Sequence, residues 1–232
     1  LSFTCFEGSE DGAIPKDTES AELWKKLFAE KGMEVTIGEH PEQDGILPGQ
    51  HIFYYGEKKN WWSRAGVPGN MPVGEPGGPD TEMFWDFGAE LGLHEVSAWK
   101  DEPCHVNCDC GRFMEIGNNV FMEYVRTEAG FEKLTQQNVD FGGGLERLMA
   151  AVSNEPDMFR GDIFASIRSS IEALSGKTYG VVEKETYAFR VLIDHMRASV
   201  FLLSDGVAPS NTDQGYVLRR LLPRSLALPA LP

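Results

Sequence analysis

Residues 138–148 read NVDFGGGLERL, in which a short apolar segment and a carboxylate precede three glycines and the start of an amphipathic pattern. Glycine costs about 0.5–1 kcal/mol relative to alanine inside a helix or strand, so three in succession need a physical reason. One reason is close packing of a helix on a strand. The other is a ligand site that the backbone approaches closely, with Asp140 and Arg147 facing it. The stretch predicts a strand-to-helix turn and leaves both reasons open.

Strands are predicted before this turn and helices after it. Alternating or extended apolar residues predict the strands, and apolar residues at helical spacing predict the later helices. The strands lie at 1–7, 51–55 and 82–87, and the helices at 17–31, about 144–153, 162–175 and about 185–204. Strands followed by helices favour an α+β fold over alternating βαβ units. A domain boundary is expected near 153–161 or 176–184.

Two segments between the predicted strands are less regular. Residues 63–80 are rich in glycine and proline and predict a structured loop. Residues 112–126 are rich in aromatic and aliphatic residues and predict extended structure with a break at Gly117-Asn118. Asn118 there either makes a turn or offers its amide to a substrate carboxylate.

Composition limits the protein classes that the chain can belong to. Its 232 residues are 41% hydrophobic, which suffices for one large domain or two smaller ones. We expect no membrane segment, because no run of 18 apolar residues occurs. The net charge of −15 disfavours a nucleic-acid partner, although five arginines against three aspartates from Arg190 onward permit one there. Three of four cysteines fall within seven residues, which predicts a reducing, cytoplasmic location rather than a disulfide framework.

Three other clusters carry side chains that could act chemically. Trp61-Trp62, together with Glu82, either wall a pocket or belong to the core. The segment PCHVNCDC offers thiolates and an imidazole, which are good zinc ligands, or else free thiols in a loop. The segment DGVAPSNTDQGYVLRR, residues 205–220, predicts either a helical hairpin with solvated arginines or a polar loop that reads a nucleic-acid groove. The four proposed zinc ligands are Cys104, His105, Cys108 and Cys110.

Several of these stretches resemble one family. DFGGGLER resembles the third signature motif of class II aminoacyl-tRNA synthetases, in the form found in alanyl-tRNA synthetases. NWW, GEPGGPDTE, EIGNNVFMEY and RVLIDHMRASVFLLSDGVAPSNTDQGYVLRR resemble, in the same order, other blocks of that family. The resemblance covers nearly the whole chain. It implies an α+β fold, with the antiparallel-sheet catalytic core of class II synthetases in part at 1–157 and the start of a helical tRNA-recognition domain at 158–232.

The resemblance also implies a function, which is activation of alanine with ATP and Mg²⁺ and ligation of alanine to its tRNA. Asp140 and Arg147 would be the catalytic residues, Asp140 pairing with the alanine ammonium and Arg147 holding the terminal phosphate of ATP beside Gly144. Gly142 would leave room for the alanine methyl group. Trp62 would wall the pocket, and Asn118 would add a polar contact.

The tRNA for alanine would meet Asn211 at its acceptor-stem wobble pair, with Arg219 and Arg220 beside it. The family's first two signature motifs would lie in an N-terminal part of the synthetase that precedes this chain. Two other function classes stay open. One is a non-catalytic synthetase-like paralogue that binds adenylate or tRNA, and the other is a zinc-stabilised structural domain.

Overall fold

The structure is a computed structural model that describes residues 1–227, with side chains described as far as residue 222. It divides into two compact units, Leu1–Pro156 and a second unit that begins at Asp157. The assignment of these parts to a catalytic core and a tRNA-recognition domain stays a proposal.

Seven strands of the first unit form one mixed sheet. They are β1 (Ser2–Phe6), β2 (Thr36–Gly38), β3 (Gln50–Tyr55), β4 (Trp61–Ser63), β5 (Pro76–Asp86), β6 (Phe113–Thr127) and β7 (Gly130–Gly143). The order is β2-β3-β1-β5-β6-β7, with β4 paired to β5. Pairing is parallel among β2, β3 and β1 and antiparallel elsewhere. The predicted α+β fold is confirmed, and its antiparallel part carries an added parallel edge.

Three helices accompany this sheet, α1 (Thr18–Glu30), α2 (Pro41–Asp44) and α3 (Leu145–Ser153). The Asp17 carboxylate accepts a hydrogen bond from the Ser20 N–H and so caps α1, as the sequence predicts. Trp24 and Phe28 of α1 pack on a cluster of buried apolar residues from the parallel strands. Trp24 also donates its indole N–H to Thr81 of β5 at 2.8 Å, which ties α1 to the centre of the sheet.

The prediction of a loop over residues 63–80 is wrong at its C-terminal end, because β5 begins at Pro76. Glycine and proline are normally loop residues, yet here they serve a close approach between strands. A Cβ on Gly78 would lie 1.7 Å from the carbonyl oxygen of Phe121 on β6. Only glycine permits this spacing, so a residue that suggests a loop in the sequence is a requirement of the sheet.

The prediction of a break at Gly117-Asn118 is also wrong, because β6 runs without interruption from Phe113 to Thr127. Met83 of β5 pairs with Gly117 and Phe84 pairs with Glu115, so Ile116 is an extra residue opposite a regular strand. The irregularity seen in the sequence is therefore a β-bulge. Asn118 lies within the strand and does not make a turn.

The second unit is helical over the residues that the structure describes, with α4 (Asp162–Ser175), α5 (Glu183–Ser204) and α6 (Asp213–Ala227). The predicted helices at 162–175 and about 185–204 are confirmed. Asp157 accepts hydrogen bonds from the Tyr179 hydroxyl at 2.7 Å and from Arg190 at 2.8 Å, which joins the start of the unit to α5. None of the helices in the described part of the chain is long and apolar enough to cross a membrane.

Candidate functional site

Strand register brings the predicted site residues of the first unit onto one face of the sheet. Val120 of β6 pairs with Asp140 of β7, and Asn118 pairs with Gly142. On the other side of β6, Val120 pairs with Asp80 and Asn118 with Glu82. Directly opposed residues project to the same face, as do residues two apart on a strand. Asp80, Val120 and Asp140 therefore form one row, and Glu82, Asn118 and Gly142 form the next.

Trp62 lies on the same face, and its neighbour Trp61 belongs to the core. Trp62 pairs with Gly78, two residues before Asp80 on β5, and is 40% exposed. Trp61 is buried with Phe6 and Tyr124. Trp61 therefore belongs to the core, whereas the role of Trp62 as a pocket wall stays a prediction.

Two carboxyl groups lie at the centre of this face, Asp80, which sequence reasoning did not assign to the site, and Glu82, which it grouped with Trp61-Trp62. Asp80 is buried and accepts hydrogen bonds from Asn60 at 3.0 Å and from Asn118 at 3.2 Å. Glu82 accepts a hydrogen bond from the Thr4 hydroxyl at 3.3 Å. The Asn118 Oδ1 is buried and has no hydrogen-bond partner among the described residues, so the site retains an unused acceptor.

Burial of these carboxyl groups favours their neutral forms. Burial raises the pKa of Asp80 to about 6, against the hydrogen bonds from Asn118 and Asn60 that lower it. Burial raises the pKa of Glu82 to about 8, with further increases from the charges of Asp80 and Glu115. Near neutral pH the floor of the site therefore holds Asp80 mostly ionised and Glu82 mostly protonated.

Asp140 differs from this buried pair because it is exposed and has no ion-pair partner among the described residues. A Cβ on Gly142 would meet no atom within 4 Å, so the space beside Asp140 is open. A carboxylate next to open space can pair with an incoming cation.

The glycine turn leads directly into α3 and positions Arg147. Gly144 is the N-cap residue and no side chain caps the helix, so backbone N–H groups of the first turn stay available. A Cβ on Gly144 would lie 3.2 Å from the Arg147 side chain, so glycine lets that side chain fold back against the turn. The Arg147 guanidinium donates to the Glu115 carboxylate at 2.7 Å. Both groups are substantially exposed, at 47% and 33%, so this ion pair is weak and exchangeable.

Gly117 lies outside the site, although it precedes Asn118. It pairs with Met83, and a Cβ there would lie 2.6 Å from the Met83 Cε and 2.9 Å from the Phe141 ring. Because successive residues of a strand alternate between faces, Gly117 faces away from Asn118 and Gly142.

Asn211, Arg219 and Arg220 belong to the second unit. Asn211 lies in the turn before α6 and is exposed, and both arginines are exposed on α6. Arg220 donates to the Tyr216 hydroxyl at 3.1 Å, and both guanidinium groups lie 5.7 Å from the Tyr216 ring. The predicted helical hairpin of α5 and α6 is present, with its arginines solvated.

The cysteine segment forms a cluster that differs from the predicted set. The ligand atoms of His94, Cys108 and Cys110 all lie within 4.8 Å of one another, and all three residues are buried. Neither Cys104 nor His105 belongs to this group. The His105 Nδ1 instead lies 2.9 Å from the Tyr55 hydroxyl. The predicted histidine is therefore replaced by one that lies 14 residues before Cys108 in the chain.

One signal in the sequence could have assigned Asp80 to the site. Asp80 and Glu82 are two apart in PDTE, which places them on one face as soon as the segment is recognised as a strand. His94 and Glu115 have no comparable signal, since long-range packing alone brings them to their clusters.

Comparison with known proteins is consistent with this arrangement. The model of the family "tRNA synthetases class II (A)" matches residues 17–230. Alanine–tRNA ligase of Treponema denticola is 38% identical over 229 residues, which cover 97% of this chain and 32% of that protein. The alanine–tRNA ligase of Borrelia hermsii is 38% identical over 97% of this chain and 33% of that protein. The alanine–tRNA ligase of Petrotoga mobilis is 38% identical over 90% of this chain and 22% of that protein. The chain spans about a third or less of the length of these relatives. The fold, the one-sided site and these matches together show that the chain belongs to the class II aminoacyl-tRNA synthetases.

Proposed function

We propose that this chain is part of an alanine–tRNA ligase and builds its alanine and adenylate pocket. The observation that carries the proposal is the strand register that aligns Asp140, Gly142 and Asn118 with Trp62 on one face. The relatives named alanine–tRNA ligase support the choice of amino acid.

The pocket chemistry suits a small amino acid. The unpaired carboxylate of Asp140 would bind the ammonium group, and the unused Oδ1 of Asn118 is a second acceptor on the same face. The open space beside Gly142 accommodates a methyl group, and Trp62 supplies an apolar wall. A larger side chain would have to displace that wall.

The phosphates would bind at the start of α3. Arg147 lies in the first turn, where a cation opposes the helix dipole unless an anion accompanies it. Glu115 is that anion here. A phosphate that displaces the Glu115 carboxylate would accept hydrogen bonds from both the Arg147 guanidinium and the backbone N–H groups after Gly144. Mg²⁺ bound to ATP would neutralise phosphate charge, and Glu115 is a carboxylate of the kind that Mg²⁺ prefers.

Formation of an aminoacyl adenylate needs no covalent group from the protein. It needs the substrate carboxylate aligned with the α-phosphate and charge stabilisation on the departing pyrophosphate. Asp140 would fix the amine end and Arg147 the phosphate end, which together define the orientation. We propose that the part of the enzyme outside this chain completes the alignment, since the relatives are about three times as long.

Transfer to tRNA would involve the second unit. Asn211, Arg219 and Arg220 are exposed, and the arginines carry the positive charge that a phosphate backbone requires.

All four cysteines are free of disulfide bonds, which supports the cytoplasmic location expected from the sequence.

The test is calorimetric binding of a non-hydrolysable alanyl-adenylate analogue to this chain, with a seryl-adenylate analogue as the specificity control. We expect the alanyl form to bind more tightly, and Asp140→Asn to abolish binding with little change in stability. Glu132→Gln is the matched control, because it makes the same charge change on an exposed residue of β7.

Equal binding of both analogues, or unchanged binding by Asp140→Asn, would refute the assignment of the pocket. Alanine-dependent exchange of pyrophosphate into ATP, measured on the complete natural protein, separates the enzyme from a non-catalytic paralogue. The paralogue would bind the analogue without exchange.

A further inference from the structure

A long connection between β5 and β6 carries the buried thiols. Residues 87–112 contain only one short 3-10 turn, at Ala89–Leu91. The two ends of the connection meet, because the Phe87 N–H donates to the Arg112 carbonyl at 3.0 Å. Arg112 also forms a two-point ion pair with Asp86, at 2.8 and 2.7 Å. Connections of this length with so little regular structure are uncommon and usually have a function or are flexible.

The interior of this connection holds sulfur and imidazole groups at metal-ligand spacing. The Nδ1 of His94 lies 3.7 Å from the Sγ of Cys108. Two donors of a tetrahedral zinc site, with Zn–S about 2.3 Å and Zn–N about 2.0 Å, lie ~3.5–3.8 Å apart. His94, Cys108 and Cys110 are 8%, 6% and 8% exposed, so the site is closed to bulk water.

The histidine is held in the tautomer that a metal needs. The Nε2 of His94 lies 3.1 Å from the carbonyl oxygen of Glu102, which can only accept a hydrogen bond. The proton must therefore lie on Nε2, and the lone pair on Nδ1 faces the thiols. A backbone carbonyl that orients a metal-binding histidine through its other nitrogen is a regular feature of zinc sites.

Cys104 is the remaining thiol of this connection and the candidate fourth donor beside the group of His94, Cys108 and Cys110. Its thiol interacts with that of Cys110, which in turn interacts with that of Cys108. The backbone of Cys110 hydrogen-bonds the sulfur of Cys108, and the backbone of Arg112 hydrogen-bonds the sulfur of Cys110. The guanidinium of Arg112 lies 3.9 Å from the Cys104 sulfur. These contacts hold the three sulfur atoms in one place.

We propose that His94, Cys104, Cys108 and Cys110 bind one zinc ion that closes the connection between β5 and β6. On binding, the three thiols release their protons to solvent and the imidazole binds through Nδ1 without losing a proton. A closed set of four protein ligands is typical of structural rather than catalytic zinc. The ion would link His94, near the end of β5, to the segment just before β6, and so support the two strands that carry Asp80, Glu82 and Asn118.

The first measurement is the zinc content of the reduced full chain by mass spectrometry, together with X-ray absorption at the zinc edge. We expect one zinc per chain with three sulfur neighbours at about 2.3 Å and one nitrogen neighbour at about 2.0–2.1 Å. Absence of zinc after reconstitution overturns the proposal, and so does a shell with fewer than three sulfurs. Because this measurement uses the unmodified chain, it holds even where variants fail to fold.

Variants distinguish the two histidines of the region. His94→Ala and Cys108→Ser should each lose the bound zinc, and Cys104→Ser should lose the third sulfur neighbour. His105→Ala is the matched control and should retain the ion, because its ring contacts Tyr55. Loss of zinc in His105→Ala with retention in His94→Ala would overturn the ligand set. None of these results depends on whether the chain binds alanine or ATP.

Discussion

Replacement of Glu82 by glutamine tests whether burial of this carboxyl group lowers the free energy of unfolding as pH rises. Glu82 lies on β5 between Thr4 and Asn118, with Asp80 two residues before it. Burial, followed by the charges of Asp80 and Glu115, raises the pKa of Glu82 from 4.5 to about 8. Glutamine keeps the shape and the oxygen that accepts from Thr4, and it removes the ionisable group.

The sign of the effect follows from the direction of the pKa shift. At a pH below the unfolded-state pKa, Glu82 is protonated in both the folded and the unfolded chain and does not change the free energy of unfolding. As pH rises toward the folded-state pKa, the unfolded chain loses its proton first, so the folded state is progressively destabilised. With ~1.36 kcal/mol per pKa unit, a rise from 4.5 to about 8 corresponds to at most about 5 kcal/mol. Between about pH 5 and about pH 8 the loss is on the order of 3 kcal/mol.

The assay is urea unfolding of the wild-type chain, Glu82→Gln and Glu132→Gln across that pH range. We expect Glu82→Gln to resemble the wild type near the acidic end and to be more stable at the alkaline end by about 3 kcal/mol. Titrating groups that do not interact with Glu82 contribute equally to both proteins and cancel in the difference. Glu132→Gln, on the exposed part of β7, should show no such divergence.

A stability difference that stays constant with pH would refute the reasoning, because it would mean that Glu82 titrates alike in the folded and unfolded chain. A Glu82→Gln protein that is less stable at the alkaline end would show that an ionised Glu82 is stabilised by a partner.

Three substitutions test other parts of the structure. Gly78→Ala should lower the unfolding free energy by about 3 kcal/mol or more, because its Cβ would lie 1.7 Å from the Phe121 carbonyl oxygen; an unchanged melting temperature would contradict the β5–β6 spacing. Gly142→Ala should leave the melting temperature nearly unchanged, because the added Cβ would meet no atom within 4 Å. It should nevertheless weaken binding of the alanyl-adenylate analogue in calorimetry, and an unaltered affinity would place the methyl pocket elsewhere. Arg147→Ala should cost less than about 1 kcal/mol of stability, because its pair with Glu115 is exposed, but lower the affinity for ATP in calorimetry ~10–100-fold; a large loss of stability instead would make Arg147 structural.

Local signals in the sequence predicted much of the fold. The helices at 17–31, 162–175 and about 185–204 were found because apolar spacing and capping residues act within a few turns of chain. The strand-to-helix turn in DFGGGLER was predicted for the same reason. The start of β5 was missed, because Pro76, Gly77 and Gly78 suggest a loop when the neighbouring strand is unknown.

The candidate site was predicted unevenly. The motifs pointed to Asp140, Asn118, Gly142 and Trp62, and the structure places all four on one face. Asp80 was overlooked, because the segment that carries it was predicted as a loop and is in fact part of β5. His105 was chosen over His94 because it is adjacent to the cysteines in sequence, whereas folding of the long connection brings His94 to Cys108.

The sequence by itself determined the helices, the glycine turn and the family, since each depends on residues close together in the chain. Only the tertiary structure decided which side chains meet. Register sets the rows of Asp80 with Asp140 and Glu82 with Gly142, and burial then raises the pKa of Glu82. Both effects come from contacts between segments tens of residues apart, and a linear pattern carries no information on distance or desolvation.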